Sequence, residues 1–128
     1  MTVGIGVDVV DLERFASVVH RRPRLVDRVF TPDERAYCDR GKGSAVRSQR
    51  YAARYAAKEA VMKVLGCGLG AYRFHDVAVA RDEDSGEPGL VVRGKAAALA
   101  DERGIVRWHL SLTHSDAVAV AFVVADEQ

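Results

Sequence analysis

Apolar and polar residues first alternate one by one at Val3-Gly4-Ile5-Gly6-Val7-Asp8-Val9, placing Val3, Ile5, Val7 and Val9 on one face and Gly4, Gly6 and Asp8 on the other. A period of two predicts a strand. Its glycine face carries no side chain before Asp8, which leaves room for a packed helix or for a ligand beside the carboxylate. A helix is predicted from about Asp11 and must end before Pro23, because an internal proline loses a hydrogen bond and clashes with the preceding turn. Thr31-Pro32-Asp33-Glu34 has an N-cap threonine, a proline at the first helical position and a glutamate three residues on. This capping box starts a helix that runs to about Asp39.

Gly41 to Ser44 reads as a loop. From Arg47 to Leu65, Ala53, Ala57, Ala60, Val61 and Val64 recur at steps of three and four, a buried helical stripe ended by Gly66. Val77–Ala80 and Leu90–Val92 read as strands joined by a turn-rich loop, and Lys95–Arg103 as a helix closed by Gly104. Val106 to Thr113 alternates again, with Trp108, Leu110 and Leu112 opposite His109, Ser111 and Thr113. After the turn His114-Ser115-Asp116, the unbroken apolar run Ala117–Val124 predicts a strand covered on both faces. The order β-α-α-α-β-β-α-β-β defines an α+β fold, an antiparallel sheet packed by helices. Residues 1–128, 48% hydrophobic, suit a single domain with one core.

Composition narrows the function. The longest apolar run, Ala117 to Ala125, is too short to cross a bilayer, and Met1–Val10 has no basic segment ahead of an apolar one. A soluble, cytoplasmic protein is expected. Cys38 and Cys67 form no CxxC pair, so both read as structural thiols. The net charge of +1 hides a segregation: residues 1–70 carry 13 basic and 8 acidic groups, residues 71–128 carry 6 and 10. Arg14, Arg21, Arg22, Arg24 and Arg28 are opposed locally only by Asp27. An anionic partner and a solvated arginine-rich face fit that charge equally well. No aromatic residues are interleaved there, which argues against a stacking platform for nucleic acid.

Chemistry is concentrated in Arg54-Tyr55-Ala56-Ala57-Lys58-Glu59-Ala60-Val61-Met62-Lys63 and the following Gly66-Cys67-Gly68-Leu69-Gly70. Glu59 and Lys63 are four residues apart on one helical face, the spacing of an ordinary surface ion pair. Asp8 on a strand and Glu59 on a helix form a candidate pair for a magnesium ion that keeps several waters and completes its shell with substrate phosphates. Spacing alone does not select them from eighteen carboxylates. His109 and His114 lack HxH or HExxH spacing and read first as structural residues.

Three stretches together resemble the holo-acyl-carrier-protein synthase family of phosphopantetheinyl transferases. Gly4-Ile5-Gly6-Val7-Asp8-Val9-Val10, with Glu13-Arg14-Phe15 after it, is similar to the family's opening signature. Tyr55-Ala56-Ala57-Lys58-Glu59-Ala60 through Lys63 and Gly66 is similar to the central one, with tyrosine where phenylalanine or tryptophan is common. Gly86-Glu87-Pro88, Gly94 and His109-Leu110-Ser111-Leu112-Thr113-His114 resemble the later elements.

The resemblance implies transfer of 4'-phosphopantetheine from coenzyme A to a serine of an apo acyl carrier protein, with release of adenosine 3',5'-bisphosphate, in fatty acid or polyketide biosynthesis. It implies Mg2+ held by Asp8 and Glu59, and catalytic roles for Glu59 as base and Lys63 as phosphate partner and acid. Coenzyme A contacts are implied for Arg54, Lys63, Gly66, Pro88, Ser111 and His114. Arg14, Arg21, Arg24 and Arg28 resemble the family's docking helix for the acidic carrier protein. A homotrimer with sites between subunits is also implied. Ser115 and Asp116, and the arginine-rich run from Arg47 to Arg54, depart from the family pattern.

Overall fold

In the computed structural model, which covers residues 1–128, the chain runs β1 (Thr2–Asp11), α1 (Leu12–Arg21), α2 (Arg24–Val29), α3 (Pro32–Asp39), α4 (Ser44–Leu65), β2 (Val77–Arg81), β3 (Pro88–Val92), α5 (Gly94–Glu102), β4 (Arg107–His114) and β5 (Val118–Asp126). The antiparallel strands divide into a three-stranded sheet, β1-β5-β4, and the hairpin β2-β3. With helices packed on them, the fold is the α+β class read from the sequence.

Helix α4 is the axis. Ala56, Ala57, Ala60 and Val61 are completely buried, and they meet Ala121, Val123 and Ala125 of β5 across a layer of small residues. Such small contacts let helix and sheet approach closely. A Cβ placed on Gly6 would lie 2.1 Å from the Ala60 carbonyl oxygen, so α4 rests on bare β1 backbone at that point. The glycine face of β1 is therefore its helix-packing face. Asp8 is the next residue along that face and emerges where α4 passes over.

The valines of β1 point the other way, and Ile5, Val7 and Val9 are exposed. Strand β5 follows the same division: Ala119, Ala121, Val123 and Ala125 are buried, whereas Phe122 is exposed. This corrects the reading of β5 as covered on both faces. Its run is unbroken because its outer face is apolar too, not because a second layer covers it in this chain.

Two local differences have simple causes. The six-residue helix α2 follows Pro23 directly and is too short to show a period. Helix α4 begins at Ser44 rather than Arg47 because Gly43, at φ +95°, turns the chain immediately before it.

The capping box of α3 forms as predicted, with Glu34 N–H donating to Thr31 Oγ1 and Thr31 N–H donating to Glu34 Oε1. Glu34 does more than cap. Completely buried, it accepts from Lys58 Nζ at 2.8 Å and from Val79 N–H at 2.9 Å, while Lys58 also donates to the Phe74 and Val77 carbonyls. Two buried charges thus tie α3, α4 and β2 together. Removing one partner from such a pair costs about 3 to 5 kcal/mol, because the other charge is left unsatisfied.

Candidate active site

Asp8 is held on β1 opposite Ala121, with its side chain 17% exposed. Lys63 reaches it from α4: Nζ lies 3.2 Å from Asp8 Oδ1 and donates to the Val7 carbonyl at 2.7 Å. Lysine therefore pairs across elements rather than with Glu59 one turn earlier. The close approach allowed by Gly6 brings the lysine tip within reach of the strand.

Glu59 lines a cavity of about 430 Å³ together with Asp8, Arg14, Phe15 and Tyr55. The Tyr55 ring is packed between Phe15 and Phe74, with centroids at 5.7 and 6.2 Å. Burial, then the Glu59 charge and a hydrogen bond to that carboxylate, push the Tyr55 hydroxyl up to about 12. It keeps its proton at neutral pH. Asp11 also borders the cavity, but its Oδ1 is engaged by Arg14 N–H at 2.8 Å as the cap of α1.

The donor set bears on a metal. No cluster of three or more histidine, cysteine, aspartate or glutamate side chains exists, so a closed, fully protein-ligated site is absent. Two carboxylates from different elements on one open cavity fit instead a hard divalent ion that retains water and takes substrate phosphate oxygens.

Arg14 faces this cavity from α1, whose Leu12 and Phe15 are buried against α4 and β5. Arg21, Arg24 and Arg28 are exposed further along. The basic arm is two helices broken at Pro23 rather than one.

The remaining predicted residues lie apart within this chain. Arg54 is buried, with its guanidinium carbon 4.3 Å from the Tyr37 ring centroid, and it donates to the Arg50 carbonyl. It lines a second cavity, of about 930 Å³, between α3 and the β2-β3 hairpin. Gly66, at φ +66°, caps α4 in the left-handed conformation that glycine adopts without strain. Pro88 opens β3. Ser111 stands on the outer sheet face opposite Phe122, and His114 is exposed at the end of β4. One chain thus unites Asp8, Arg14, Glu59 and Lys63, and leaves Arg54 and Ser111 elsewhere.

Two residues of consequence were not assigned a role from sequence. Lys58 is internal because α4 is covered on several sides, which a single alanine stripe does not reveal. Tyr55 was visible only as a hydroxyl where other aromatics are usual, at the i, i+4 spacing from Glu59.

With this geometry in place, comparison with known proteins is direct. Residues 4–123 match the profile of the 4'-phosphopantetheinyl transferase superfamily, and the chain belongs to that family. It is 48% identical over 126 residues to the holo-[acyl-carrier-protein] synthase of Beutenbergia cavernae, covering 98% of this chain and 99% of that one. The holo-[acyl-carrier-protein] synthase of Frankia alni is 48% identical over 124 residues, covering 97% of each chain. Among solved structures, the holo-(acyl-carrier-protein) synthase of Bacillus anthracis in complex with CoA (3',5'-ADP) aligns with a TM-score of 0.80 at 34% identity, covering 100% of this chain and 99% of that chain.

Proposed function

We propose that this chain is a holo-acyl-carrier-protein synthase, transferring 4'-phosphopantetheine from coenzyme A to a serine of an apo acyl carrier protein. The observation that carries the reading is that Asp8 and Glu59 line one open cavity while Lys63 reaches Asp8 from the same helix as Glu59, on the two segments that bear the family's signatures.

Asp8 and Glu59 would hold Mg2+, which when bound neutralises phosphate charge. Glu59 accepts the proton of the incoming serine hydroxyl. The serine oxygen bonds to the phosphorus that carries pantetheine, and the bond from that phosphorus to adenosine 3',5'-bisphosphate breaks. Lys63, its ammonium steadied by the Val7 carbonyl, offsets charge on the pyrophosphate and protonates the leaving group. Phosphoryl transfer draws most of its acceleration from such positioning and charge stabilisation.

The arginines of α1 and α2 offer a positive surface beside the cavity to an acidic carrier protein, with Arg14 at its border. A cytoplasmic location suits a reaction between coenzyme A and a carrier protein. No helix of the chain is long and apolar enough to cross a membrane.

The active form is a homotrimer. Its support is the outer sheet face, where exposed Ile5, Val7, Val9 and Phe122 form an apolar patch on β1 and β5, bordered on β4 by His109, Ser111 and Thr113. Apolar patches of this kind mark interaction sites. Assembly through this face would let a neighbour complete the coenzyme A site, with Arg54, Pro88, Ser111 and His114 serving across subunit boundaries.

Incubation with coenzyme A, Mg2+ and an apo acyl carrier protein tests the proposal. A carrier heavier by one phosphopantetheine is expected. Coenzyme A cleavage without transfer would identify a hydrolase instead.

A further inference from the structure

The aromatic position of the central signature carries a hydroxyl in this chain, and that hydroxyl is next to Glu59. Tyr55 and Glu59 are one helical turn apart on α4, where side chains at i and i+4 are neighbours. Both line the cavity that contains Asp8. The Tyr55 ring has little freedom to turn away, since Phe15 of α1 and Phe74 of the turn before β2 flank it. A phenylalanine would pack in the same place and offer Glu59 nothing.

We propose that Tyr55 is a positioning residue, whose hydroxyl donates to one oxygen of Glu59 and orients the carboxylate to share a divalent ion with Asp8. The two carboxylates come from different elements, and Asp8 is already fixed by Lys63. Glu59 has three rotatable bonds, and the structure records no cationic partner for it. The tyrosine supplies the missing constraint: one carboxylate oxygen is occupied by the donor and the other is aimed toward Asp8. Hydrogen bonds to metal-binding carboxylates act in this way, and their loss typically weakens ion affinity or activity by about 10- to 100-fold. The inference rests on the assignment of Asp8 and Glu59 as metal ligands.

The test is Tyr55→Phe in the full-length protein, with Mg2+ and Mn2+ affinity measured by calorimetry, KM and kcat for transfer, and the thermal midpoint. Divalent-ion affinity is expected to fall by about tenfold while the thermal midpoint and the KM for the carrier protein stay at their wild-type values. In a Glu59→Gln background the same substitution is expected to cost no further ion affinity, since the hydroxyl acts only through that carboxylate. Equal ion affinity in Tyr55→Phe and wild type would overturn the positioning role and leave the transferase reading intact. A wild-type protein that binds no divalent ion, or whose ion affinity is untouched by Glu59→Gln, would overturn the metal-site assignment and this inference with it.

Discussion

Lys63 Nζ stands 3.2 Å from Asp8 Oδ1 and 2.7 Å from the carbonyl of the residue before it, so one helix side chain is fastened to both the backbone and the carboxylate of β1. Its position beside the carboxylate follows from that attachment.

Lys63→Met is expected to lower kcat for transfer by about 10²- to 10³-fold, the usual loss when a charge-stabilising donor is removed from a transition state. Stability should change by less than about 1 kcal/mol, because the lysine side chain is more than half exposed and such pairs contribute little. Steady-state kinetics and urea denaturation check the two halves separately.

Gly6→Ala is expected to be severe. The new Cβ would meet the Ala60 carbonyl oxygen at 2.1 Å, and neither backbone can yield without separating β1 from α4. A loss of about 1 to 3 kcal/mol or more follows from overpacking of this kind, together with a displaced Asp8 and reduced transfer. Gly68→Ala, where nothing lies within 4 Å of the added carbon, provides the neutral control. Thermal denaturation of the two variants separates close packing from general sensitivity of glycines.

Much of this architecture is legible in the sequence, for reasons that particular residues illustrate. Thr31, Pro32 and Glu34 announce α3 because a cap is local chemistry, and alternation in Val3–Val9 and Val106–Thr113 announces strands because side-chain direction is fixed by the pleat. The bare glycine face of β1 reads as room for a packed helix or a ligand, and Gly4 and Gly6 do meet α4. That α4 is the element that fills it is not local, since it depends on the small alanines that allow so close an approach. The partners of Lys58 and Lys63 were hidden for the same reason: each is paired with a residue more than twenty positions away. The proposed trio of Asp8, Glu59 and Lys63 was singled out by resemblance, and only the shared cavity of Asp8 and Glu59 and the reach of Lys63 to Asp8 belong to the folded chain.

Stability should decline in alkali through Cys38. Burial pushes this thiol from 9.0 up to about 12, opposed by the charge of Arg54 and reinforced by that of Glu34. Above pH 9 the unfolded thiol ionises while the folded one holds its proton, so rising pH favours the unfolded chain. Burial of Tyr51 and Tyr72 acts in the same direction at higher pH. Urea midpoints at about pH 8 and about pH 10.5 should therefore differ less in Cys38→Ala than in wild type, because the largest early contribution to this pH dependence is gone.

The outer face of the sheet gives a test of assembly. Val7 and Phe122 are paired in register and exposed side by side. Phe122→Lys combined with Val7→Lys would place two charges in the proposed trimer interface, where burying an unpaired charge is costly. Sedimentation is expected to show trimers for wild type and monomers for the variant, with helical content retained because the single-chain core lies on the opposite face. A wild-type monomer, or a variant of unchanged mass, would contradict the assembly.

The central claim is that Glu59, with Asp8 and Lys63, carries out phosphopantetheine transfer. Glu59→Gln keeps the size of the side chain and removes its charge and basicity. Intact-mass measurement of an apo acyl carrier protein, after incubation with coenzyme A, Mg2+ and either wild type or this variant, is the direct test. The account predicts complete conversion by wild type and an unmodified carrier with a folded Glu59→Gln protein; equal conversion by both would contradict it.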